Sequence, residues 1–144
     1  MKNVPLSLSM LALALGCAPA WPQGKSPGSG EQVYRQVCAA CHATGVAGAP
    51  TLGDTKAWKP LIEEGQHVLT AHAFVGVRAM PPQGGKDDLS LEDFSRAVAW
   101  MARNSGGDWK DPDAAMVRKI RKEARDRLDS EIRKMQALRK NLGD

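Results

Sequence analysis

Cys38-Ala39-Ala40-Cys41-His42 puts two thiols three residues apart and an imidazole directly after the second. This is the C-x-x-C-H pattern of covalent haem attachment. At a helix end, each thiol can add to one vinyl group, and the imidazole that follows can face the iron from one side. Two other uses of a Cys pair meet obstacles in the same sequence. A thioredoxin-like redox pair needs a βαβ setting, and no alternating apolar run marks a strand. A structural zinc site needs further thiol or imidazole ligands at set spacings, yet the chain holds only one other Cys, Cys17. The motif therefore predicts one covalent haem, carried by a small helical chain.

Outward from the motif, three helices can be placed with reasons. Residues 30–40 follow Ser29, a natural N-cap with Gln32 as its capping-box partner, and Val33 and Val37 mark a buried face. Residues 91–103 follow Ser90 with Asp93 three residues on. Phe94, Ala97, Val98 and Met101 keep the helical apolar period until Ser105-Gly106-Gly107 breaks it. Residues 112–142 follow Asp111 as cap and Pro112 at the favoured first position, and Gly143 ends them. Shorter helical turns are expected at 58–65 and 66–75. The expected class is all-α: one compact helical domain around a haem, plus a long C-terminal amphipathic helix.

The first twenty residues have the layout of a secretory signal peptide. Lys2 is followed by the apolar run Leu6–Leu15, and Ala18-Pro19-Ala20 offers a small-x-small cleavage site. The run is shorter than the roughly 18–20 residues a membrane-spanning helix needs. Ala14-Leu15-Gly16-Cys17 also approaches a lipoprotein signal with the usual order of residues reversed, so lipid anchoring at Cys17 is the secondary expectation. Export to the periplasm suits covalent haem attachment, which needs an oxidising compartment. The chain is thus expected to divide into a signal peptide (1–20), a Gly/Ser/Pro-rich leader (21–29), a haem domain (30–104), a linker (105–110) and a C-terminal helix (111–144).

A haem iron held by His42 has a sixth position to fill. The candidates are His67, His72, Met80, Met101, Met116 and Met135. Met80 stands in Ala79-Met80-Pro81-Pro82-Gln83-Gly84-Gly85, where two prolines exclude a helix and hold an extended backbone. Met101 falls on the buried face of a periodic helix and is expected in the core. Met116 and Met135 are expected to pack within the terminal segment, and His67 to be solvated. Met80 is the expected second axial ligand.

Gly30, Tyr34 and Cys38, each four apart, followed by Cys41-His42, resemble the first helix of class I c-type cytochromes, with Trp100 as the aromatic partner on the last core helix. The further stretches Gly48-Ala49-Pro50, Gly53-Asp54, Lys56-Ala57-Trp58, His72-Ala73 and Met80–Gly85 are similar to the cytochrome c5 branch, over about Glu31 to Arg103. The resemblance implies haem thioethers at Cys38 and Cys41. It also implies His42 as an axial ligand with its Nδ1–H given to the Pro50 carbonyl, Met80 as the other axial ligand, and Trp58 near the haem edge. It implies that His72 does not ligate. Leu61 stands where many relatives carry a basic residue near the propionates, which puts a propionate–Arg pair in doubt.

Two filled axial positions leave no vacancy for a substrate. The expected function is single-electron transfer between transient redox partners by a monohaem c-type cytochrome, not enzymatic catalysis. A haem enzyme or gas-binding protein would need a displaceable Met80. A third alternative is a haem subunit tethered to one complex. It arises from the terminal helix, where Val117, Ile120, Ala124, Leu128, Ile132, Met135, Leu138 and Leu142 draw one apolar stripe. Such a stripe must be covered. The options are the chain's own body, a second copy in a homodimer or a dedicated partner, docked through residues 112–142.

Charge follows the same division. The chain holds 20 Lys and Arg against 16 Asp and Glu, a formal +4. Residues 21–104 hold 8 basic and 8 acidic side chains, whereas residues 105–144 hold 11 and 8. The basic balance is therefore a property of the terminal helix, and a nucleic-acid partner is not expected.

Overall fold

The computed structural model describes residues 28–143. The expected signal peptide, most of the leader and Cys17 lie outside the described residues. Among the described residues the chain is helical and no strand occurs. The expected all-α class is found.

Helix α1 covers residues 30–42: α-helical over Gly30–Val33 and Ala39–His42, with a π-helical stretch over Tyr34–Cys38 between them. Ser29 caps it, its hydroxyl accepting from Gln32 N at 3.2 Å. π-turns inside helices concentrate at functional sites, and this one ends on Cys38. Helix α2 (Thr55–Glu63) starts three residues earlier than expected because Asp54 accepts from Lys56 N and Ala57 N, both at 3.1 Å. Helix α3 (Gln66–Val75) runs between Gly65 and Gly76, both at positive φ. Helix α4 (Leu91–Arg103) has the expected cap, Ser90 Oγ accepting from Asp93 N at 3.0 Å.

Asp93 has a second task. Its Oδ1 accepts from Gly28 N at 3.0 Å and pairs with Arg96, while Arg96 Nε donates to the Gly28 carbonyl at 3.0 Å. These bonds lash the start of α1 to α4. The two helices cross in contact. A Cβ at Gly30 would run into the Arg96 carbonyl oxygen and lie 2.8 Å from Trp100 Cβ, so only glycine allows this approach. Tyr34 and Trp100 meet beside it, ring centroids 5.0 Å apart. The core between α1, α2, α3 and α4 holds Val33, Tyr34, Cys38, Trp58, Leu69, Phe94, Val98 and Met101. Phe74 meets Phe94 edge to face at 5.3 Å.

Helix α5 (Ala114–Leu142) begins two residues later than expected. Its cap is Asp113, accepting from Met116 N at 2.7 Å, rather than Asp111, which instead pairs with Arg103 at 2.8 Å. At 1.5 Å per residue it is about 44 Å long. Its first half lies on the outer face of α3: Ile120 and Ala124 close a second apolar cluster with Ala71, Val75, Leu91 and Met116. Arg121 reaches Glu92 of α4 at 2.9 Å. The stripe then continues into solvent. Ile120 is fully buried, whereas Ile132 is 52% and Met135 66% exposed. The expectation that Met135 packs within its own segment is therefore wrong, while Met116 does pack. Along α5 the surface ion pairs include Lys122–Asp126 and Glu131–Lys134.

Candidate cofactor site

The site is built where α1 ends. Cys38 is buried on the core side, Cys41 is exposed, and His42 is buried at the last helical position. No disulfide joins the two cysteines. Burial pushes the Cys38 thiol up to about 11. A reactive redox cysteine needs the opposite shift, toward thiolate.

The chain leaves α1 through Gly45 and Gly48, both at positive φ, and returns to the His42 ring. Three successive residues are then fixed. The Pro50 carbonyl lies 2.8 Å from His42 Nδ1. The Thr51 carbonyl accepts from Trp58 Nε1 at 2.9 Å. Leu52 N donates to the His42 carbonyl at 2.8 Å. An Nδ1–H given to Pro50 sets the tautomer and leaves Nε2 as a free lone pair, the usual arrangement behind a metal-binding imidazole. The Trp58 ring lies 6.3 Å from the His42 ring and is itself buried.

Met80 stands on a separate, stiff loop. Val77 N donates to the Met80 carbonyl at 3.1 Å and Met80 N to the Val77 carbonyl at 2.9 Å, closing a tight turn with Arg78 at φ 54°. Gly76, at φ 97°, allows the next strand of backbone to pass. A Cβ there would lie 3.0 Å from Pro82 N and 3.2 Å from the Met80 carbonyl. Beyond Pro82 the chain turns tightly, Gln83 Nε2 donating to the Leu89 carbonyl at 3.0 Å. Gly84 then sits close against Val37 of α1. Met80 packs, half-buried, on the same core cluster as Cys38 and Trp58.

A cleft of about 430 Å³ opens between the two loops, lined by Pro50 and Thr51 on one side, Ala57 and Leu61 on α2 with Glu64 just past its end, and Arg78 from the Met80 turn. The structure thus gathers Cys38, Cys41, His42, Pro50 and Trp58 into one neighbourhood, with Met80 joined to it through the core. His42 and Met80 do not themselves line the cleft. The donor set is one neutral imidazole, one thioether and two thiols on a helix end, which fits a covalently held haem. Arg78, an exposed residue, is on the cleft wall. Its positive φ at a non-glycine residue leaves no signature in the sequence.

The remaining candidates lie elsewhere. Met101 is in the core and Met116 in the second cluster. His67 is half-buried on α3 rather than solvated. His72 lies on the far face of α3, its Nδ1 3.5 Å from Glu64 and its Nε2 3.8 Å from Glu123 of α5.

Residues 25–101 match the family model described as cytochrome C oxidase, cbb3-type, subunit III. A cytochrome c-555 of Chlorobaculum thiosulfatiphilum is 38% identical over 81 residues, 54% of this chain and 94% of that one. A cytochrome c5 of Azotobacter vinelandii is 38% identical over 76 residues, 51% of this chain and 92% of that one. Among solved structures, the chain is similar to one in a crystal structure of an electron transfer complex of nitrite reductase with cytochrome c. That likeness has 43% identity and a TM-score of 0.51, and covers 53% of this chain and 93% of that one. The family match stops at Met101, before α5.

Proposed function

The chain belongs to the class I c-type cytochromes, of the cytochrome c5 kind, and on that footing we propose that it is a periplasmic carrier of single electrons whose haem c is ligated by His42 and Met80. When bound, the haem supplies an iron that gains and loses one electron. The chain's own residues do the rest. Cys38 and Cys41 would hold the haem through thioethers, each thiol adding its sulfur to one carbon of a vinyl group and its hydrogen to the other, which would consume no oxidant. His42 offers Nε2 while Pro50 holds its Nδ1–H. Met80 offers its thioether from the turn that Gly76 and the prolines stiffen. Trp58 and Leu61 keep water from the edge of the site.

A neutral imidazole and a neutral thioether favour Fe(II) over Fe(III) relative to anionic ligands, which raises the potential. With both axial positions taken there is no place for a substrate, so the reading is a carrier and not an enzyme. Docking is expected to be brief, with donor and acceptor proteins that use small interfaces. The similar cytochrome in complex with nitrite reductase supports partners of the redox-enzyme class. The C-terminal helix favours a second reading, a haem subunit held in one assembly, because its distal half carries an uncovered apolar stripe.

The observation that carries the proposal is the 2.8 Å bond between His42 Nδ1 and the Pro50 carbonyl, which leaves Nε2 free for the iron. The test is the ferric spectrum of the holo-protein. Met–iron ligation gives a weak far-red charge-transfer band, expected here and expected to vanish in Met80→Ala with a fall in potential. A five-coordinate spectrum in the unaltered protein would overturn the carrier reading in favour of a gas-binding or enzymatic haem.

A further inference from the structure

The exposed end of α5 carries Leu128, Ile132, Met135, Leu138 and Leu142, between 47% and 78% exposed. Their spacing is four, three, three, four, the same read from either end. On a helix these positions share one face about 120° wide, with Met135 at its middle. We propose that this face is covered by a second copy of the same chain, packed antiparallel about a two-fold axis that passes at Met135.

A two-fold interface must be self-complementary, residue i meeting j while j meets i. With Met135 on the axis, Leu128 lies opposite Leu142 of the other copy, Ile132 opposite Leu138, and Met135 opposite itself. Every apolar residue of the face then meets an apolar partner. Charge follows the same pattern. Asp129 flanks the face on the side where Lys140 of the other copy arrives, and neither is ion-paired within the described residues of its own chain, while Arg139 of the other copy lies opposite Glu131 inside the face. A parallel pairing would instead set like on like at each of these positions.

Length agrees as well. The body of the molecule covers the stripe through Ala124, which is 7% exposed, and the cover has gone at Leu128. In the antiparallel register, Leu142, the last helical residue, reaches Leu128 of its partner. The incoming helix therefore ends one turn short of the partner's body. Five apolar side chains per copy make a small interface, at the weak end of specific contacts. The dimer is accordingly reversible and concentration-dependent.

The proposal does not rest on how the iron is ligated, because its readout is mass. Sedimentation equilibrium of the full-chain holo-protein is expected to show mass doubling as concentration rises. Asp129→Arg, and separately Lys140→Asp, are each expected to raise the midpoint concentration about ten-fold, a size set by reversing two symmetry-related exposed charge pairs. The two substitutions together are expected to restore it. Circular dichroism checks that each variant keeps its helix. As a second measurement, Met135→Cys is expected to cross-link to itself on oxidation. Leu128→Cys is expected to cross-link only when mixed with Leu142→Cys. A chain monomeric at every concentration, a dimer indifferent to the reversals, or self-cross-linking of Leu128→Cys would each overturn the proposal. So would a purified chain that stays monomeric while another protein occupies this face.

Discussion

Gly76 shows how much of the site depends on one backbone angle. At φ 97°, with Pro82 N 3.0 Å from where a Cβ would be, it lets Met80 and the two prolines fold back over α3. Gly76→Ala is expected to displace the Met80 turn, weakening the far-red ferric band and lowering the unfolding midpoint. Spectra and denaturant titration of the holo-protein would check both. Thr70 makes the opposite case. It is fully buried on α3, and its Oγ1 has no hydrogen-bond partner among the described residues. Thr70→Val keeps the shape and removes the unpaired hydroxyl, so stability should rise by about 1 kcal/mol. A measured loss of that size would mean the hydroxyl has a partner in the holo-protein. The Cys, His and Met residues proposed for the site were legible in the sequence because their side-chain chemistry is distinctive. Arg78 was not: its place on the cleft depends on a turn closed by backbone bonds between Val77 and Met80.

At the scale of elements, α5 is one helix with two surroundings. Periodicity draws its stripe unbroken from Val117 to Leu142, yet α3 covers only the first part. Ile120→Ala should cost about 2–5 kcal/mol, the usual range for emptying a packed site. Ile132→Ala should change the monomer's stability by less than about 0.5 kcal/mol. Urea titrations at low protein concentration would separate them, and equal effects would contradict the burial pattern. The caps of α1 and α4 were foreseen because Ser29 and Ser90 stand directly before the apolar period. The cap of α5 was misplaced because Asp111 and Asp113 flank Pro112, and either could cap. The competing bond from Asp111 to Arg103 decides between them.

On the scale of the whole molecule, the site and the long helix are built from separate parts of the chain. All of the site residues lie between Cys38 and Met80, while α5 touches the far face of α3. A relative matched over 94% of its length by 81 residues has no room for a counterpart of α5. Removing residues 114–143 should therefore leave the far-red band and the potential unchanged. It should lower stability by exposing Ala71, Val75 and Leu91. A shifted potential would show that the helix acts on the haem.

The C-x-x-C-H motif, the helical class, the stiff Met80 segment and the amphipathic tail follow from the sequence by itself. Each is a local matter of side-chain chemistry, capping or period over a few residues. Only the tertiary structure decided that Trp58 Nε1 holds the Thr51 carbonyl, that Arg78 lines the cleft and that the stripe of α5 is half covered. These depend on which surfaces the loops bring together. A carbonyl oxygen is the same in every residue, and a period marks a face without naming what covers it.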